Sequence, residues 1–209
     1  GAGTNTIEIQ GVKRLKDVDY NIMPDRIEAG TFLVAGAITE GKIKLLNADA
    51  TQIQPVINKL EEANCKIEIE KDYIELIAPK RLKAVDIKTM PYPGFPTDMQ
   101  AVFTAAMTKA KGTSVIVENI FENRYKYTQE LIRMGAKITI EGRTAVVKGV
   151  KKVQGTTVKA TDLRGGAAMV ILGLSARGIT EVDNIHYILR GYEKLEKKLE
   201  NLGAKIYMK

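Results

Sequence analysis

The sequence predicts an α/β (α+β) domain of three βαβαββ-like repeats around a buried helix bundle. Three observations predict it. An Asp stands where a strand should hand over to a helix in each of three stretches: Asp25 in MPDRIEAGTFLVAGAI, Asp98 in FPTDMQAVFTAAM and Asp162 in ATDLRGGAAMVILGL, about 70 residues apart. The segments Cys65-Lys66-Ile67, Ala136-Lys137-Ile138 and Ala204-Lys205-Ile206 recur at a similar interval, as do Gly41, Gly112 and Gly178 closing the first helices. Those first helices are small and apolar nearly all round, and a helix without a polar face belongs inside.

The second repeat states the plan most clearly. Residues 84–88 alternate apolar and polar side chains, the pattern of a half-buried strand. Pro91, Pro93, Gly94 and Pro96 then make a rigid turn that continues neither element. Thr97 and Asp98 are good N-cap residues for a helix over 99–109, which ends at Gly112. Residues 114–118 (SVIVE) read as a second strand, and 127–134 as an amphipathic helix ended by Gly135. Residues 137–140 and 145–148 are two strands of a hairpin about Gly142.

The first repeat is expected to run the same course from Val18 to Ile77, with helices near 27–38 and 52–63. The third is expected from Thr157 to Tyr207, with helices near 167–176 and 192–202. It stops where its last hairpin strand should come, leaving an edge of the kind natural sheets protect. Another segment is therefore expected to complete it, and the chain is expected to be part of a longer protein. The expected organisation is one domain, 1–209, with repeats at about 8–78, 80–149 and 151–209, the third incomplete.

Composition narrows the function. A length of 209 residues with 44% hydrophobic and 27% charged side chains suits a soluble globular chain with ample core. No apolar run approaches the ~20 residues that span a bilayer, so no membrane partner is expected and a cytoplasmic location is. One Cys and one His exclude an internal disulfide and cysteine-cluster metal sites, and neither metal nor cofactor is expected. The net charge of +7 either serves solubility or points to an anionic partner. With four Phe, eight Tyr, no Trp and scattered lysines there is no basic stripe with interleaved aromatics, so a small phosphorylated substrate is expected rather than nucleic acid.

The repeat plan gathers polar groups at one end. Asp25-Arg26, Thr97-Asp98 and Asp162-Leu163-Arg164 fall at three helix N-termini, whose free amides and dipoles attract anions. The turns before the outer helices add Glu122-Asn123-Arg124 and Arg190-Gly191-Tyr192, whereas the first repeat has Asn47-Ala48-Asp49 there and no arginine. Arg26, Arg124, Arg164 and Arg190 around Asp98 would suit a polyanion, gripped by planar guanidinium forks, beside a general base. Each residue also has a structural reading: the aspartates as helix caps, Arg26 and Arg124 as ion-pair partners of Asp25 and Glu122, and His186, Tyr187, Tyr192 and Cys65 as scaffold.

The segments 24–32 (PDRIEAGTF), 94–101 (GFPTDMQA), 121–136 (FENRY with ELIRMGA), 161–168 (TDLRGGAA) and 190–206 (RGYE with KLENLGAKI) resemble the UDP-N-acetylglucosamine enolpyruvyl transferases, in family order over essentially the whole chain. The resemblance implies that family's inside-out α/β fold, two domains of three repeats each, of which this chain is the C-terminal one. It implies transfer of the enolpyruvyl group of phosphoenolpyruvate to the 3′-hydroxyl of UDP-N-acetylglucosamine, with phosphate release, in peptidoglycan synthesis. Asp98 resembles the carboxylate that takes the hydroxyl proton, and Asp162 a second carboxylate near the reacting carbon. Arg164 and Arg190 resemble arginines that hold the phosphoenolpyruvate end. Arg26, Thr97, Ile120 (through its backbone) and Arg124 fall where the family meets substrate.

Two departures accompany the match. The family's N-terminal domain is absent, and with it a loop cysteine, a loop arginine and a lysine, so this chain alone is expected to be inactive. The opening GAGTNTIEI looks like the hinge between domains. Leu189 stands where the commoner pattern has an Asp before the arginine. Two further readings stay open: a shikimate-3-phosphate enolpyruvyl transferase domain, and a non-catalytic anion- or nucleic-acid-binding module on the same fold.

Overall fold

The computed structural model describes residues 1, 4 and 6–209 of the chain. Helix α1 (Arg26–Ile38) comes first, its opening amides of Ile27 and Glu28 taken by the Asp25 carboxylate. Strand β1 (Lys42–Leu46) follows, then a short 3-10 turn at Ala50–Gln52, helix α2 (Gln54–Glu62) and the strands β2 (Lys66–Ile69) and β3 (Tyr73–Ile77). The second copy runs β4 (Ile87–Lys88), α3 (Thr97–Lys109), β5 (Thr113–Val117), α4 (Thr128–Arg133), β6 (Lys137–Glu141) and β7 (Thr144–Lys148). The third has β8 (Thr157–Lys159), α5 (Leu163–Gly173), β9 (Glu181–Asp183), a single turn α6 (His186–Leu189) and α7 (Leu195–Asn201).

Each copy builds its own sheet, in the orders β1-β3-β2, β4-β5-β7-β6 and β8-β9. The first strand of a copy lies parallel to the next (β4 with β5, β8 with β9), and the hairpins are antiparallel. The mixed architecture and the central bundle are those expected from the sequence. Helices α1, α3 and α5 pack against one another at the centre. In α3 every residue from Met99 to Thr108 is buried, and in α1 every residue from Gly30 to Ile38. The approach is close: a Cβ added to Gly30 would lie 3.0 Å from Sδ and Cε of Met99 on α3. Among the described residues no helix is long and apolar enough to cross a membrane.

The copies differ where packing differs. The strand expected at the start of the first copy does not form: residues 6–24 carry no helix or strand, and Leu15, Val18, Tyr20 and Ile22 are exposed. The counterparts in the other copies hold because Leu82 and Val85 beside β4, and Val153 and Val158 at β8, are buried. A strand of two or three residues makes too few ladder bonds to stand without such burial. The hinge expected over the first nine residues includes positions 2, 3 and 5, which lie outside the described residues. Residues 202–209 likewise carry no strand, so β9 has no described hairpin partner.

Helices α5 and α7 start elsewhere than expected. Helix α5 begins at Leu163 rather than near 167, because Asp162 caps it through the amides of Arg164 and Gly165. Its glycines are there for contact: a Cβ on Gly165 would lie 2.7 Å from Cβ of Tyr127, and one on Gly166 2.6 Å from Cγ1 of Ile188. Helix α7 begins at Leu195 rather than 192, after Lys194 takes a left-handed conformation (φ 48°). The turn after the outer helix also needs a left-handed residue in every copy, supplied by Gly135, Gly203 and, in the first, Asn64. Beside it Cys65 is a buried free thiol, pushed up to about 12 by burial and so a poor nucleophile.

Candidate active site

Three aspartates stand at the N-termini of the three central helices, and only one is free of capping. Asp25 Oδ1 accepts from the amides of Ile27 and Glu28 at 2.7 and 3.1 Å. Asp162 Oδ1 accepts from Arg164 and Gly165, both at 2.9 Å, and its Oδ2 from the Thr161 hydroxyl at 3.1 Å. For these two the cap reading describes the geometry. Helix α3 is different. Its N-cap is Pro96, not Thr97 or Asp98 as expected, and no side chain caps it. The rigid proline turn sets the entry of the helix without a capping side chain, so Asp98 falls inside the first turn with its carboxylate directed away from the backbone.

That carboxylate meets two arginines from different elements. Arg124 Nη2 donates to Oδ1 at 2.7 Å and Arg164 Nη2 to Oδ2 at 3.3 Å. The Asp98 side chain is 40% exposed while those of Arg124 and Arg164 are 19% and 15% exposed, so the carboxylate faces the opening and the guanidinium groups back it. Arg124 also lies over the ring of Phe121, 4.6 Å from its centroid. Arg164 sits 5.6 Å from the centroid of Tyr192, whose hydroxyl is 2.9 Å from the Thr31 hydroxyl on α1. Burial would weaken the Arg164 charge, but Tyr192 and Asp98 outweigh it and the guanidinium is raised above its ordinary value. Burial raises the Tyr192 phenol as well.

The other expected residues stand around this pair of contacts. Arg26 lies 5.9 Å from the ring centroid of Tyr92 in the proline turn, which brings the α1 and α3 N-termini to the same mouth. Arg190 ends α6 and is exposed, with no ion-pair partner among the described residues. The next residue, Gly191, lies so close to Leu163 of α5 that an added Cβ would be 2.6 Å from Leu163 Cδ2. Ile120 is 37% exposed in the turn after β5. Thr97 turns its hydroxyl to the Glu118 carboxylate at 2.9 Å. Leu189 and His186 are exposed.

The structure thus joins Asp98, Arg124 and Arg164 directly, and Arg26 and Arg190 make no ion pair with Asp98. Sequence reasoning gave no role to Tyr92 or Phe121 and read Tyr192 as scaffold, yet these rings lie against three of those arginines. Only Phe121 carried a signal in the chain, three residues before Arg124; Tyr92 and Tyr192 meet arginines distant in sequence, Arg26 and Arg164. Arg164 Nη1 is buried with no partner. A buried donor of that kind carries a penalty unless something accepts from it. The arrangement can hold an anion on guanidinium groups and present a carboxylate to a hydroxyl beside it.

The sequence pattern of the EPSP synthase (3-phosphoshikimate 1-carboxyvinyltransferase) family matches residues 1–199. The chain is 56% identical over 209 residues to UDP-N-acetylglucosamine 1-carboxyvinyltransferase 1 of Caldanaerobacter subterraneus subsp. tengcongensis, covering 100% of this chain and 50% of that protein. It is 54% identical over 208 residues to the UDP-N-acetylglucosamine 1-carboxyvinyltransferase of Desulfofundulus thermocisternus, covering 99% of this chain and 86% of that one. The chain spans about half the length of several further relatives of that name. The crystal structure of an enolpyruvyl transferase from Streptomyces tendae superposes with a TM-score of 0.79 at 25% identity, over 89% of this chain and 44% of that one.

Proposed function

Since the chain belongs to the EPSP synthase family, and within it to the UDP-N-acetylglucosamine 1-carboxyvinyltransferases, we propose that it supplies half of the active site of such an enzyme. The reaction transfers the enolpyruvyl group of phosphoenolpyruvate to the 3′-hydroxyl of UDP-N-acetylglucosamine and releases phosphate. The observation that carries this reading is that Asp98, alone of three equivalent aspartates, caps nothing and is held by two arginines at the mouth.

In the proposed mechanism the phosphate and carboxylate of phosphoenolpyruvate occupy Arg164 and Arg190, with Arg26 and Arg124 adding positive charge on the sugar-nucleotide side. An anion taking over Arg124 and Arg164 frees the oxygens of Asp98. Asp98 then accepts the proton of the 3′-hydroxyl as general base. The hydroxyl oxygen bonds to the central carbon of phosphoenolpyruvate while the terminal methylene takes up a proton from solvent. The methyl group so formed then returns a proton to solvent, and cleavage of the bond between the central carbon and the phosphate oxygen restores the vinyl group and releases phosphate. The arginines stabilise the charge of the tetrahedral intermediate, Asp162 lies near the reacting carbon, and the Ile120 backbone and Thr97 meet the sugar nucleotide.

The 209 residues would form one domain, with repeats at about 8–78, 80–149 and 151–209, of a two-domain enzyme. The other half closes over the substrates and excludes water, and this half alone is inactive. Such an enzyme works in the cytoplasm on peptidoglycan precursors, on which cell shape and division depend, with no nucleic-acid or membrane partner. The acceptor decides between this and the shikimate reading. The assembled two-domain enzyme is expected to release phosphate from phosphoenolpyruvate with UDP-N-acetylglucosamine and not with shikimate 3-phosphate; release with the second alone would reverse the assignment.

A further inference from the structure

Resting on that reading of the site, we infer that Glu118 is a positioning residue that sets the Asp98 turn against the loop carrying Ile120 and Arg124. It is 1% exposed, yet it is a carboxylate at the end of a strand that faces the site. Six residues on from Gly41, Gly112 and Gly178 stand Asn47, Glu118 and Asn184. Asn47 and Asn184 are exposed and left-handed, with φ of 56° and 59°, as suits a residue that only turns the chain out of a strand. In the second copy alone that position turns inward and carries an acid.

Four donors converge on it. Oε1 accepts from the Thr89 hydroxyl at 2.9 Å, the Ile120 amide at 2.8 Å and the Phe121 amide at 3.1 Å. Oε2 accepts from the Thr97 hydroxyl at 2.9 Å. The Thr89 hydroxyl in turn accepts from the Asn119 amide at 2.8 Å. A buried acid is tolerated when its lone pairs are filled, and an acceptor-only carboxylate matches four donors where an amide matches them only in part.

The two oxygens serve two elements. Oε2 holds the first residue of α3, next to Asp98, and Oε1 holds the loop over 119–121, which leads to Phe121 beneath Arg124. The distance between the base and the loop expected to meet the sugar nucleotide is therefore fixed by one side chain. Among the described residues Glu118 makes no hydrogen bond to Asp98, Arg164 or Arg190, so the phosphoenolpyruvate side should not sense it.

The test uses the full two-domain enzyme with Glu118→Gln. Its KM for UDP-N-acetylglucosamine is expected to rise about tenfold while KM for phosphoenolpyruvate stays within about twofold, a split that general loss of fold does not produce. Hydrogen exchange at the Ile120 and Phe121 amides, measured without any substrate, is expected to quicken about tenfold. A folded Glu118→Gln enzyme with both quantities unchanged overturns the proposal, as does an apparent kcat that falls with the folded fraction while both Michaelis constants stay unchanged. Thr89→Val, close to isosteric, removes one donor to Oε1; it is read instead if Glu118→Gln does not fold, and an unchanged sugar-nucleotide KM there overturns the proposal equally. Should the unaltered enzyme release no phosphate, the transferase reading fails, while the exchange arm still decides the role of Glu118.

Discussion

Asp98→Asn is expected to lower phosphate release at saturating substrates by at least about 100-fold, the scale of a lost general base, with the fold intact. Asn keeps the shape and still offers one oxygen to Arg124 Nη2, which lies 2.7 Å from Oδ1. It cannot accept a proton, and its amide would face Arg164 instead of a carboxylate oxygen. Because the side chain is 40% exposed, loss of its ion pairs should change stability by about 1 kcal/mol or less. Steady-state phosphate release and thermal unfolding of the two-domain enzyme check both halves of the expectation. A variant retaining more than about a tenth of the rate would remove Asp98 from the chemistry.

Phe103→Ala is expected to destabilise the domain by about 3–5 kcal/mol. Phe103 is fully buried in α3, the helix that packs most extensively against the other two of the bundle. Its ring meets Phe95 edge to face, with centroids 5.4 Å apart at 82°. Such pairs add about 0.5–1.5 kcal/mol to the burial itself. Phe95 belongs to the proline turn that carries Thr97 and Asp98, so the same change should loosen the site. Urea midpoints of the unaltered and altered proteins at equal slope measure the loss. A shift below about 1 kcal/mol would mean that the bundle does not carry the fold as its packing implies.

The bundle was legible because its signal is local. A helix such as α3 is apolar on all sides, and no tertiary accident hides that. The strands of two or three residues were less so, since the same alternation at Val18–Asp19–Tyr20 and at Val85–Asp86–Ile87 ends exposed in one copy and buried in the other. What differs is the neighbour, which the sequence of the segment does not encode. Helix starts failed for a related reason: Thr97 looks like a cap, but Glu118, 21 residues on, takes its hydroxyl.

The site was half legible. Comparing the three copies singled out Asp98, Arg124 and Arg164, which do meet. It read Tyr192 as scaffold and gave Tyr92 and Phe121 no role of their own, because an aromatic under an arginine has no spacing rule. Glu118 escaped notice because it closes an ordinary strand pattern; only alignment with Asn47 and Asn184 marks it as the odd copy.

The most direct test mixes this chain with the N-terminal half of the proposed two-domain enzyme and follows phosphate release from phosphoenolpyruvate and UDP-N-acetylglucosamine. Release is expected only when both halves are present. Release by this chain alone, or none from halves that demonstrably associate, would contradict the proposal that it supplies one side of a two-sided transferase site.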